Sequence, residues 1–69
     1  MSSAIIDKTA VIAPDVLIGE FAVIEAGTVI EAGSRIGHHV VVHAGTMIGA
    51  NVTVGDHSVL GKKPQLAKS

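Results

Sequence analysis

The chain has 69 residues, with five basic and six acidic side chains for a formal charge of −1, and an apolar share of 48% in which Phe21 is the one aromatic residue. That leaves room for a single small domain and offers no arginine or lysine cluster to neutralise nucleic-acid phosphates, so nucleic acid is excluded as a partner. Cysteine is absent, which removes disulfides and thiolate metal sites as staples.

Valine and isoleucine supply 18 of the apolar residues and alanine nine more. Such β-branched and small side chains predict strands around a narrow interior rather than a helical bundle. No apolar run approaches the roughly 20 residues that span a bilayer. The opening Met1, Ser2, Ser3 lacks a charged n-region and a long apolar h-region. No membrane span is expected, and the expected location is cytoplasmic.

Taken in chain order, an aliphatic anchor recurs every six residues at Ile6, Ile12, Ile18, Ile24, Ile30, Ile36, Val42, Ile48, Val54 and Leu60. Each anchor predicts one short strand, and the fixed period is the signature of a stacked repeat. The position four after each anchor is small or β-branched: Ala10, Val16, Ala22, Thr28, Ser34, Val40, Thr46, Val52 and Ser58. These also point inward. All eight glycines fall in two columns, Gly19, Gly37, Gly49, Gly55 and Gly61 just after an anchor and Gly27, Gly33 and Gly45 three after it. Glycine there predicts corners that turn sharply or need positive φ.

A weaker period of 18 sets the number of sides. The corner Gly19, Glu20, Phe21 is echoed by Gly37, His38, His39 and by Gly55, Asp56, His57, and Glu25, Ala26, Gly27 by His43, Ala44, Gly45. Three hexads per coil predict an all-β, single-stranded parallel β-helix, a triangular prism of slightly over three coils. It covers residues 4–61, with 62–69 as an exit loop or truncated tail. The residue before each anchor points outward, giving Ile5, Val23, Val41, Val59 on one face, Val11, Val29, Met47 on a second and Leu17, Arg35, Thr53 on the third. Two apolar outer faces predict contact between copies of the chain, a homo-oligomer.

The pattern of aliphatic, then Gly/Ala/Asp/Glu, two variable residues and Ser/Thr/Ala/Val resembles the hexapeptide-repeat acyltransferases. The run IGHHVVVHAGTMIGANVTVGDHSVLG carries the likeness through most of the chain. The resemblance implies a left-handed coil, which periodicity alone does not give. It also implies a homotrimer with sites between neighbouring prisms, and acetyl-CoA, another acyl-CoA or acyl carrier protein as donor, with no metal required. The ending VLGKKPQLAKS is similar to the sugar N-acetyltransferase branch, where a Gly-Lys-x-Pro loop interrupts the early coils. On that likeness the chain is the opening part of an enzyme that acylates an amine or hydroxyl of a sugar nucleotide or similar small acceptor.

Histidine is the candidate catalytic residue, since an imidazole can take the proton of an attacking amine or hydroxyl. His39 and His57 stand 18 apart, in line with Phe21 at one corner, and are the expected bases; His38 lies between Glu20 and Asp56 in the adjoining column. Each also reads as a solvated turn residue. His43 shares a column with Asp7 and Glu25 and is expected either to be held by Glu25 or to face a neighbouring chain. Arg35 reads as a surface charge paired with a nearby glutamate, or less readily as a phosphate ligand. Lys62 and Lys63 beside Pro64 make a basic exit loop that reads as a solvated terminus, or less readily as a contact for the phosphates of coenzyme A in a complete enzyme.

Two other readings share the fold. The spacing of His38 and His43 resembles the paired zinc ligands of γ-class carbonic anhydrases, although the remaining ligand has no counterpart because residues 1–37 contain no histidine. The other is a non-catalytic assembly module, favoured by the short length, because a drug-sized pocket needs several walls.

Overall fold

The computed structural model describes residues 3–61. Ten two-residue strands follow one another at intervals of six: β1 Ile5–Ile6, β2 Val11–Ile12, β3 Leu17–Ile18, β4 Val23–Ile24, β5 Val29–Ile30, β6 Arg35–Ile36, β7 Val41–Val42, β8 Met47–Ile48, β9 Thr53–Val54 and β10 Val59–Leu60. All pairing is parallel and joins residues 18 apart, as in Ile6 with Ile24 and Ile24 with Val42. The strands form three sheets, in the orders β1-β4-β7-β10, β2-β5-β8 and β3-β6-β9. This is a parallel β-helix of about three coils, and no helix interrupts the described residues. The expected exit segment 62–69, with Lys62 and Lys63, lies outside them.

Alternation within each strand turns the anchor inward and its predecessor outward. Ile24, Ile30, Ile36, Val42, Ile48 and Val54 are buried together with Ala22 and Val40, each aliphatic anchor contributing about 1.5–3 kcal/mol. Two buried hydroxyls fit this narrow core because each meets a carbonyl of the next coil. Thr28 Oγ1 donates to the His43 carbonyl at 3.3 Å and Ser34 Oγ to that of Gly49 at 2.7 Å, while Ser34 Oγ accepts the Val52 N–H at 3.1 Å.

Two distinctions go beyond the repeat pattern. The ten anchors are not equally buried: Ile6 is 45% exposed, and Ile12, Ile18 and Leu60 are only partly covered. The outermost coils have a neighbour on one side, so their inward residues are covered from one side. The two glycine columns also do different work. Positive φ belongs to the column three after the anchor, at Gly27, Gly33 and Gly45, and at Gly61 in the other column. Gly19 and Gly37 are instead places of close approach. A Cβ at Gly19 would meet the Gly37 carbonyl carbon at 2.6 Å, and one at Gly37 the Asp56 N at 2.8 Å.

The opening coil turns with a side-chain clasp. Asp7 Oδ1 accepts the Thr9 hydroxyl at 2.7 Å and the Thr9 N–H at 2.8 Å. These bonds, the hydroxyl's above all, hold the Asp7 carboxyl below the ordinary aspartate range.

Gly19→Ala should destabilise by about 1–3 kcal/mol, since backbone rather than a flexible side chain occupies the Cβ position. Gly49→Ala, where a Cβ meets nothing within 4 Å and φ is not positive, should be neutral or stabilising by up to about 1 kcal/mol. Thermal melts of the two variants check the contrast. A depressed Asp7 value means that its contribution is complete above the unfolded aspartate value of about 3.9 and is lost as pH falls through the lower folded one. Denaturant titrations from pH 6 to pH 2 should therefore show a smaller loss of stability in Asp7→Asn than in the parent chain.

Candidate functional site

Three corners separate the sheets. The first holds residues 7–10, 25–28 and 43–46, the second 13–16, 31–34 and 49–52, and the third 19–22, 37–40 and 55–58. Side chains that carry chemistry are unevenly shared among them. The second corner has Asp15 and Glu31, the first Asp7, Lys8, Glu25 and His43, and the third Glu20, Phe21, His38, His39, Asp56 and His57.

The 18-residue register stacks Phe21, His39 and His57 into one ladder. The Phe21 and His39 ring centroids are 5.2 Å apart with planes 19° from parallel, and those of His39 and His57 are 5.0 Å apart at 7°. All three residues have positive φ, at 60°, 56° and 64°, in the column where other corners place Gly27, Gly33, Gly45 and Asn51. A side chain in that conformation costs about 1–2 kcal/mol, and each stacked pair returns about 0.5–1.5 kcal/mol. His39 and His57 therefore come together as their spacing predicts. Among the described residues neither ring is hydrogen-bonded to a carboxylate, and both are exposed.

His38 is engaged differently. Its Nδ1 accepts the Glu20 N–H at 2.8 Å, which puts the proton of the neutral ring on Nε2. Its own backbone N–H donates to Asp56 Oδ1 at 2.9 Å. The column Glu20, His38, Asp56 is thus a chain of corner caps, in which a side chain of each coil accepts from the backbone of the coil before it.

At the first corner, His43 Nδ1 lies 3.2 Å from Glu25 Oε1, and the same oxygen accepts the Ala44 N–H at 3.0 Å. The neighbouring backbone is also held, because the His43 carbonyl accepts Thr46 Oγ1 at 2.8 Å. With Nδ1–H donating to the carboxylate, Nε2 carries the free lone pair, the arrangement that orients a general base. The column of Asp7, Glu25 and His43 is visible in the sequence, but which nitrogen meets the carboxylate depends on coil spacing and rotamer. The pairing foreseen for Arg35 is absent: among the described residues no carboxylate lies within 4 Å of its guanidinium, and His43 with Glu25 is the one ion pair.

The histidines suggested as paired zinc ligands stand on different corners, His38 on the third and His43 on the first, each with Nδ1 already bonded. Parallel rings 5.0 Å apart in the ladder do not converge on one point. Among the described residues no three metal-ligating side chains gather, and no pocket encloses either the ladder or the His43 pair.

If the ladder rings attract one another, a double-mutant cycle of Phe21→Gly and His39→Gly should give a coupling of about 0.5–1.5 kcal/mol in denaturant unfolding. Glycine is the informative replacement because it also relieves the positive φ. A coupling near zero would mean that the rings are adjacent without stabilising each other.

Residues 27–62 match the family described as bacterial transferase hexapeptide (six repeats), just over half of the chain. No curated protein matches the chain. The matched span begins between β4 and β5 and runs through β10, so it covers all four histidines and the buried anchors from Ile30 to Val54, while Phe21, Ile24 and Glu25 precede it. The chain belongs to the bacterial transferase hexapeptide family.

Proposed function

We propose that the chain contributes to an acyltransferase that moves an acyl group from acetyl-CoA or another acyl thioester to an amine or hydroxyl of a small acceptor, a sugar nucleotide being the favoured class. Family membership supports the reaction type, and the observation that carries the site is the His43 pair with Glu25. Glu25 accepts a hydrogen bond from Nδ1–H and fixes the ring; Nε2 takes the proton of the attacking amine or hydroxyl as its heteroatom adds to the thioester carbonyl. The tetrahedral intermediate collapses with cleavage of the C–S bond, and the imidazolium returns its proton to the departing thiolate. The carboxylate stabilises the imidazolium between these steps. His39 and His57, exposed at the third corner, are the alternative bases; they lack an orienting carboxylate, which ranks them behind His43.

An open corner cannot by itself exclude water or hold two substrates. The remaining walls are assigned to neighbouring copies in a homotrimer, and the cytoplasm, which supplies acyl-CoA, is the proposed location. The outer apolar residues support contact between copies, with Met47 70% exposed and Ile5, Val11 and Val59 more than half exposed. No helix among the described residues is long and apolar enough to cross a membrane.

The test is transfer from acetyl-CoA to a panel of aminosugar and hydroxyl acceptors, read as free thiol, in an active parent protein containing these coils. His43→Asn should lower kcat by about 10²–10⁴-fold with the assembly intact. Glu25→Gln should lower it less, and His39→Asn with His57→Asn should leave most of the rate. Full activity in His43→Asn with loss in the double variant would move the base to the ladder. Separately, Val23→Lys with Val41→Lys should disperse the oligomer in sedimentation equilibrium, since two charges would then face the apolar surface.

A further inference from the structure

Three of the four histidines share the third corner, and one of them makes a bond that only its unprotonated form allows. His38 Nδ1 accepts the Glu20 N–H at 2.8 Å. A proton on that nitrogen would remove the lone pair and set two donors against each other. The repeat does not require an imidazole for this task. Asp56, in the same column one coil on, accepts the His38 N–H through Oδ1 at 2.9 Å, and at the second corner Asp15 Oδ1 accepts the Gly33 N–H at 3.1 Å. Among the described residues, every other backbone N–H held by a side chain is held by an oxygen.

Beside this cap runs the ladder, with His39 and His57 5.0 Å apart and Phe21 5.2 Å from His39. Positive φ at all three rungs makes the corner depend on attraction between the rings to offset its backbone strain. An imidazolium at His39 is still attracted by the face of Phe21, whereas imidazolium ions on both His39 and His57 repel. The charged groups on the elements around this corner are Glu20, Asp56 and, on β6, Arg35. Among the described residues neither carboxylate pairs with a ring here, and solvent screens their attraction at this exposed edge. The first corner is the opposite case, because protonating His43 turns its 3.2 Å contact with Glu25 Oε1 into a full ion pair.

We infer that the third corner is an acid-opened latch: it is closed while His38, His39 and His57 are neutral, and proton uptake releases it by removing the Glu20 cap and making the His39–His57 stack repulsive. Protons accepted by the open corner and refused by the closed one make closure less favourable as pH falls. Ordinary histidines take up protons around pH 6.5, so the response belongs to mildly acid conditions. The sheets on either side stay paired, because backbone groups make their bonds. The latch operates whichever histidine serves as base.

The test follows backbone hydrogen exchange by NMR in the whole chain at pH 7.5 and pH 5.5, with each amide corrected for its intrinsic rate. Protection of the Glu20 N–H should fall about tenfold in acid, the equivalent of about one hydrogen bond. The Gly33 and Ala44 N–H groups, held by carboxylates at the other two corners, should keep theirs. His38→Asn, which supplies an oxygen acceptor as Asp56 does one coil on, should hold the Glu20 N–H equally at both pH values; should it lose its β circular dichroism, His38→Asp takes its place. In a double-mutant cycle of His39→Gly and His57→Gly, the coupling present at pH 7.5 should vanish or change sign at pH 5.5, whereas that between Phe21→Gly and His39→Gly should persist. Unchanged Glu20 protection in the parent, an equal loss in the folded position-38 variant, or a His39–His57 coupling indifferent to pH overturns the inference.

Discussion

Parallel backbone pairing at a constant offset of 18 residues is the constraint on which everything else in this molecule depends. Two-residue strands are far too short to persist alone, and each is held because an equivalent strand lies above or below it. The offset aligns side chains as well as backbone, so that any property placed at one residue is multiplied into a column. Buried anchors become a continuous core, outward valines become apolar faces, and ring residues become a stack.

The same constraint explains why the chemistry sits on corners. The interior is filled by one anchor and one small residue per hexad, and its hydroxyls at Thr28 and Ser34 are consumed by carbonyls of the next coil. A reactive group inside would have neither space nor access. Corners allow longer side chains, and because successive coils are one β spacing apart, a glutamate on one coil reaches a histidine on the next, as Glu25 does His43. An isolated β-turn could not orient an imidazole this way; a stacked one does so without any additional secondary structure.

Much of this was legible in the residues. A six-residue aliphatic period locates every strand, and the echo of Gly19-Glu20-Phe21 at positions 37 and 55 gives the three-sided section and the ladder at Phe21, His39 and His57. What could not be read depends on neighbours or backbone angles. Glycine type does not distinguish Gly37, which makes way for Asp56, from Gly45, which takes positive φ. Nothing in an anchor column distinguishes Ile6 from Ile24, although the first is half open and the second sealed. His43 and Glu25 were visibly in one column, yet their rank above His39 and His57 rests on the nitrogen that faces the carboxylate. Arg35 was expected to pair with a nearby glutamate, and its place on the outward face of β6 leaves it without a carboxylate partner among the described residues.

A fixed offset also makes the coil a unit of length variation. Removing a single residue from a corner would shift every later anchor out of the interior, whereas removing 25–42 would delete one whole turn and leave the remaining columns aligned. Such a shortened chain would seat His57 directly on Phe21 and bring His43 above Asp7, replacing its glutamate partner by a carboxylate one methylene shorter and already bonded to Thr9. Proteins of this architecture can therefore change reach and site chemistry in steps of eighteen residues, by duplication or loss of a turn, while the packing rules within each turn stay the same.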